Sequence, residues 1–189
     1  MILFINACVR PESRTKRLAD CLLAKLAKKG DLVKEVVLED IDFPKVDNAF
    51  LSFRDEQIAN EDFSAPVFEL AKDFAAADTI VIAAPFWDFS FPAMLKQYLE
   101  QICVTGITFC YEGDAPKGLC RAEKLFYVTT AGGMIYSESF GYGYVKELAQ
   151  SFFGIRECRF IKAEGLDIIG ADVEGILKDA EDSLAEALL

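Results

Sequence analysis

Four cations crowd one short stretch of an otherwise acidic chain. In Cys8-Val-Arg-Pro-Glu-Ser-Arg-Thr-Lys-Arg17, residues Arg10, Arg14, Lys16 and Arg17 surround the single acid Glu12. Ser13 is a helix-capping type, and Leu18, Leu22 and Leu26 recur every four residues behind it. Several of the cations therefore fall in a first turn, the end where the helix dipole disfavours positive charge. The Glu that would complete a capping box three places after Ser13 is absent. An anion there would accept the free N–H groups, the Ser13 and Thr15 hydroxyls and a guanidinium of Arg10 or Arg14, removing the conflict. The plain alternative is a capped helix with solvated Lys and Arg. Neither G-x-G-x-x-G nor G-x-x-x-x-G-K-[ST] occurs, so no dinucleotide fingerprint or Walker loop applies.

A second stretch carries different chemistry. Thr79–Ala84 is a β-branched apolar run of the length of a strand buried on both faces. Pro85 ends it, and Phe86, Trp87, Asp88 and Phe89 then form a turn far too aromatic for a mere connection. Aromatics at the carboxyl end of a buried strand stand where open α/β sheets bind ligands, so a planar ligand or a subunit interface is expected. Packing of the turn on the following helix is the bland account of any one of these rings. A third stretch, Thr129-Thr130-Ala131-Gly132-Gly133, follows another apolar run, and its paired glycines permit a ligand to approach backbone amides closely. An anion cradle, an aromatic platform and a glycine amide edge together describe a mononucleotide with a large flat ring, FMN.

A rival uses the same first loop. Cys8, five residues, then Arg14-Thr15 matches the C-x5-R-[ST] phosphate loop of low-molecular-weight tyrosine phosphatases, in which a cysteine thiolate attacks phosphorus. Such loops resemble a pattern with internal Gly and Asn and a later Asp-Pro general acid, and this chain has neither.

Composition narrows the classes further. With 20 Lys+Arg against 31 Asp+Glu the net charge is −11, which argues against nucleic acid and anionic membrane as partners. No apolar run reaches membrane-spanning length, and Met1–Asn6 lacks the features of a signal peptide, so a cytoplasmic protein is expected. The 6 cysteines are scattered without C-x-x-C, as buried apolar residues of a reducing compartment are. The chain has 0 histidines, which removes Ser-His-Asp and Cys-His nucleophile systems; in an enzyme, a cofactor or a lone activated cysteine would have to carry the reaction.

The elements that must position these loops are legible. Residues 1–189 read as a single domain. Apolar strands are expected at 1–7, 33–38, 79–84, 124–130 and 157–163. Helices are expected from Ser13 to Gly30, from Ser64 or Pro66 to about Ala77, from Ser90 (as cap) and Pro92 to Cys103, from about Gly143 to Phe153, and over a final segment. There Val173, Ile176, Leu177, Ala180, Leu184 and Leu188 share a face. Glu39–Asn60 reads as a long loop with room for a short helix, and Thr105–Arg121 as a hairpin or extended loop. Five strands alternating with helices imply an α/β, three-layer, doubly wound parallel sheet, and the flavodoxin-like order 2-1-3-4-5 fits the count.

At this level the chain resembles the flavodoxin-like quinone reductase and FMN-dependent azoreductase family nearly end to end. The residues carrying the likeness are 81–89 with Met94-Leu-Lys-Gln-Tyr98, Gly106-Ile-Thr-Phe109, Val128–Gly133 and Ala163-Glu-Gly165. The resemblance implies tightly bound FMN, its phosphate at Ser13–Thr15, its ring against Phe86–Phe89 and its ring edge near Thr130–Gly133. It also implies a homodimer with the site at the interface, and ping-pong reduction of quinone, azo or nitro compounds by NAD(P)H through the flavin. Family members often carry Ser where Asn6-Ala7-Cys8 stands here, and often a histidine where Met134-Ile135-Tyr136 follows the glycines. Tyr136 is the candidate to assist charge development on the flavin in its place. A flavodoxin-type electron carrier or redox-regulatory partner is the alternative within the same fold.

Overall fold

The computed structural model describes residues 1–188. Its main sheet contains five parallel strands: β1 (Ile2–Asn6), β2 (Val33–Val37), β3 (Thr79–Ala83), β6 (Lys124–Thr130) and β7 (Glu157–Ala163), in the order β2-β1-β3-β6-β7. The hairpin β4 (Phe109–Glu112) and β5 (Ala115–Gly118) forms a separate antiparallel pair between β3 and β6 in sequence. With the hairpin set aside, the order is the expected 2-1-3-4-5. β1 and β3 are central and apolar on both faces because both faces are covered.

The period-2 alternation of the strands divides the core. Leu3, Ile5, Ile80, Ile82, Leu125 and Tyr127 point to one layer, where α3 (Glu69–Ala76), α4 (Ala93–Ile102) and α5 (Tyr142–Leu148) pack. Ile2, Phe4, Val81, Ala83, Phe126 and Val128 point to the other, covered by α1 (Arg14–Leu26) and α6 (Val173–Ala187). Leu18 and Leu22 of α1 and Leu177 and Leu184 of α6 are fully buried there. Each such side chain contributes about 2–3 kcal/mol of transfer free energy. The apolar face expected on α6, Val173 through Leu188, is the face that packs.

Several boundaries differ from expectation. α1 stops at Leu26, four residues before Gly30, capped by the Ala27 N–H on Leu23 O. α4 starts after Pro92, with no side-chain cap; the Ser90 hydroxyl instead donates to Phe140 O at 2.5 Å. The loop expected over 39–60 holds a full helix, α2 (Asn48–Ala59), capped by Asp47 and burying none of its residues. It lacks an apolar stripe, which is why periodicity does not announce it. α5 runs on into a π-turn at Ala149–Phe153 and ends at Gly154, whose φ is +77°. Gly118 packs on that exit: a Cβ there would stand 2.2 Å from Gly154 N. Backbone-to-backbone contact therefore fixes the hairpin to the end of the π-turn.

No helix among the described residues is long and apolar enough to cross a membrane.

Candidate active site

The ends of β1, β3 and β6 lie side by side at one edge of the sheet, and hydrogen bonds tie the loops that leave them. Phe86 N donates to Thr130 O at 3.0 Å, extending the β3–β6 pairing past the last strand residue. The hydroxyls of Thr15 and Thr130 share a hydrogen bond of 2.6 Å. Ala131 N donates to Ala163 O and Asp167 N to Gly132 O, both at 2.9 Å, so the segment after β7 runs alongside the glycine loop.

A cleft of about 500 Å³ opens between these loops. The first loop lends it Arg10, Ser13, Arg14 and Thr15; the end of β3 lends Pro85, Phe86 and Trp87; the end of β6 lends Thr130, Ala131 and Gly132. Ten of the fourteen residues singled out from sequence thus meet in one place. Asp88, Phe89, Gly133 and Tyr136 are not part of its lining. Tyr136 is 86% exposed, on the loop after Gly133. Val9, Glu12, Leu166 and Asp167 complete the wall. Asp167 escaped the sequence reading because it lies in a loop of ordinary composition; its signal would have been an acid two residues past Gly165, beside the glycine loop.

The basic first loop resolves its charge conflict differently from expectation. Lys16 pairs with Asp20 at 2.9 Å, Arg17 with Glu174 and Glu181 at 2.8 Å each, and Arg14 with Asp167 at 2.8 Å. Carboxylates of this chain answer three of the four cations, and only Arg10 has no ion pair among the described residues. The Asp20 carboxylate holds the Lys16 ammonium above its usual range, and Glu174 and Glu181 do the same for Arg17. The Ser13 hydroxyl accepts the Lys16 N–H at 3.2 Å, an ordinary cap. The Thr15 hydroxyl is buried and engaged with Thr130 rather than free, although one hydrogen of that pair remains to donate.

Donors do remain. The backbone N–H groups of Arg14 and Thr15, at the first turn of α1, find no acceptor among the described residues, nor do those of Gly132 and Gly133. The Arg14 guanidinium spends only Nη1 on the protein, leaving Nε and Nη2 without a partner.

The aromatic turn is held in an unusual conformation. Asp88 and Phe89 have φ of +50° and +65°, and the turn is closed by reciprocal hydrogen bonds between Trp87 and Ser90 at 3.0 and 2.7 Å. Two successive left-handed residues match a type I′ hairpin turn, in which Asn-Gly is the usual choice. Here a Phe bears the strain, and its ring stands edge-on to Phe86 with centroids 6.3 Å apart.

Cys8 does not carry the phosphatase arrangement. It is 7% exposed, its thiol faces Ala83 O at 3.8 Å, and it does not line the cleft. Burial pushes its pKa up, outweighing the hydrogen bond from Ser13 and the charge of Lys16, whereas a nucleophilic cysteine needs the thiolate favoured.

Beyond the glycines, Glu164 accepts the Ile135 N–H at 2.8 Å and pairs with Lys162 at 3.0 Å, pinning the Met134–Tyr136 segment. Burial works against its charge, but the Ile135 N–H and Lys162 together hold the carboxyl below its usual range.

Comparison with known proteins identifies the family of the chain. The family model described as flavodoxin-like fold matches residues 1–188. A protein of Clostridium acetobutylicum named FMN-dependent NADH:quinone oxidoreductase 2 is 37% identical over 98% of this chain and 96% of its own length. A Lachnoclostridium phytofermentans protein named FMN-dependent NADH:quinone oxidoreductase is likewise 37% identical, over 96% of this chain and 94% of its own. Among solved structures, an azoreductase from Bacillus anthracis superposes with a TM-score of 0.85 at 24% identity, covering 98% of this chain and 96% of that one. The chain belongs to the flavodoxin-like family.

Proposed function

We propose that the protein is an FMN-dependent oxidoreductase that takes hydride from NAD(P)H and passes two electrons to a quinone, azo or nitro acceptor. One observation carries the reading: the cleft joins unspent backbone and guanidinium donors at one end to an aromatic wall and the free Gly132 amide at the other. Its volume lies in the range of small-molecule sites. The names of the relatives, FMN-dependent NADH:quinone oxidoreductases, support the cofactor and favour NADH as donor.

The residues fit FMN. Arg14 and Thr15 amides, the Arg14 guanidinium, Arg10 and the Ser13 hydroxyl are the donors for the phosphate. Pro85, Phe86 and Trp87 offer an apolar wall to the ring, and the Gly132 and Gly133 amides are donors for its polar edge. FMN, when bound, supplies the hydride and electron chemistry. The chain's part is to bind and orient, to keep water from one ring face with Phe86 and Trp87, and to hold fixed dipoles where charge grows. Tyr136, Phe89 and Phe140 are exposed, on the loops that follow β3 and β6.

Those exposed residues support a homodimer. Trp87, Phe89, Met134, Tyr136, Phe140 and Ile169 all lie on loops following β3, β6 and β7, and all are exposed. A second copy would cover them, complete the far wall of the cleft and bring Tyr136 nearer the ring. Residues 1–189 act as one FMN-binding domain in this reading, and six free cysteines accord with a cytoplasmic setting.

Anaerobic stopped-flow mixing of the FMN-loaded protein with NADH tests the activity. Rapid bleaching of flavin absorbance, restored by a benzoquinone, is expected. Absence of bleaching would leave an electron carrier, and failure to take up FMN would refute both flavin readings. Light scattering of wild type against Ile169→Asp tests the dimer, with dissociation of the variant expected.

A further inference from the structure

Asp167 lies in the wall of the cleft but offers a phosphate only like charge. Its Oδ1 accepts Arg14 Nη1 at 2.8 Å, and the same Nη1 approaches Leu166 O at 3.5 Å. Arg14 comes from the first loop and Asp167 from the segment after β7, so the pair bridges the phosphate end of the cleft. An exposed ion pair contributes little to stability, and by itself this one would say nothing. Two further observations give it a role.

First, Gly132 makes room for the carboxylate. A Cβ at Gly132 would stand 2.2 Å from Asp167 Oδ2 and 3.1 Å from its Cβ, while Asp167 N is anchored to Gly132 O at 2.9 Å. Gly132 has no positive φ that would demand glycine. Its small size thus serves the side chain that reaches Arg14. Second, the bond spends one edge of a five-donor fork. Nε and Nη2 remain free, beside the unspent Arg14 and Thr15 amides.

We propose that Asp167 is a positioning residue that locks Arg14 with Nε and Nη2 presented to the phosphate of the flavin nucleotide. The inference rests on the FMN reading above. An untethered arginine loses much rotamer freedom when it clamps a ligand; one already held loses less. The carboxylate repels a phosphate only weakly, because Asp167 is largely solvated and the guanidinium stands between them.

The test compares FMN with riboflavin, which lacks the phosphate, by quenching of flavin fluorescence on binding to apoprotein. Wild type should prefer FMN. Asp167→Ala should lower that preference about tenfold while leaving riboflavin affinity unchanged. Asp167→Asn, which keeps an acceptor oxygen, should recover part of it. In an Arg14→Ala background, Asp167→Ala should have no further effect, because its route is gone. A preference unchanged or raised in Asp167→Ala, or an effect that persists without Arg14, overturns the proposal and leaves the FMN site standing. A wild type that binds neither flavin, or both equally, overturns the phosphate site itself.

Discussion

The hydroxyls of Thr15 and Thr130 lie 2.6 Å apart and join the first turn of α1 to the last residue of β6. One is on a helix and the other on a strand of a different βαβ unit, so the bond fixes the first loop against the glycine loop across the cleft. Thr130→Val removes one partner and strands the buried Thr15 hydroxyl, at a cost of about 1–3 kcal/mol. The double variant Thr15→Val/Thr130→Val should be less destabilised than the sum of the singles. Urea denaturation of the four proteins measures this coupling; strict additivity would deny the bond a role.

Two glycines should respond differently to the same methyl group. At Gly118 the added Cβ meets the backbone of Phe153 and Gly154 at 2.2 Å, and backbone cannot step aside. Gly118→Ala should cost about 3 kcal/mol and lower the melting temperature by several degrees. At Gly132 the obstacle is the Asp167 side chain, which can rotate into solvent. Gly132→Ala should leave the melting temperature almost unchanged and impair FMN binding.

The pH dependence of stability has one contributor of known sign near the glycine loop. Glu164 is held below its usual 4.5, so its ionised form is favoured in the folded state. Its contribution is complete above the unfolded-state value and is lost as pH falls through the folded-state value. Glu164→Gln keeps an acceptor for the Ile135 N–H and removes the titration. The stability difference between wild type and variant should therefore be constant above about pH 6 and shrink below about pH 4.5. Chemical denaturation across that window provides the check.

Strain in the aromatic turn gives a further expectation. Phe89 is left-handed and its ring is 59% exposed, so Phe89→Gly gives up little burial and relieves roughly 1–2 kcal/mol of backbone cost. Part of that gain is offset by the greater freedom of glycine in the unfolded chain. A net stabilisation of under about 1 kcal/mol is expected, together with weaker self-association if the ring is an interface residue. Calorimetry and light scattering on the same sample separate the two effects.

Cys8 offers a contrast between spacing and environment. The C-x5-R-[ST] match is real in sequence, but burial raises the thiol and keeps it out of the cleft wall. Cys8→Ser should retain flavin reduction by NADH, and neither protein should hydrolyse p-nitrophenyl phosphate. Phosphate release by wild type that Cys8→Ser abolishes would reverse this assignment.

How legible the molecule was follows from which interactions are local. β1, β3 and the α6 face were visible because their burial imposes a period on the chain, and the cleft followed once those strands were placed in order. Ser13 was read as a cap and is one. Ser90 is not the cap of α4, because the closed Trp87–Ser90 turn holds it two residues ahead of the N-cap position at Pro92, a turn geometry that residue type alone does not reveal. The surplus charge around Arg14 was read as a demand for an external anion, whereas Asp167, Glu174 and Glu181 meet most of it from the opposite end of the chain. No local pattern encodes such pairings. α2 escapes for another reason: a helix with no fully buried residue and no apolar stripe leaves no periodic mark.

α2 is attached by Ile58, which packs against the core, and by Arg54, which donates to Glu100 O and Cys103 O at the end of α4. Its amides are protected by helix hydrogen bonds alone, so they should exchange with deuterium through local opening, long before those of β1 and β3. The same segment is the one a protease would cut first, and cleavage there would leave the cleft, built from other loops, intact.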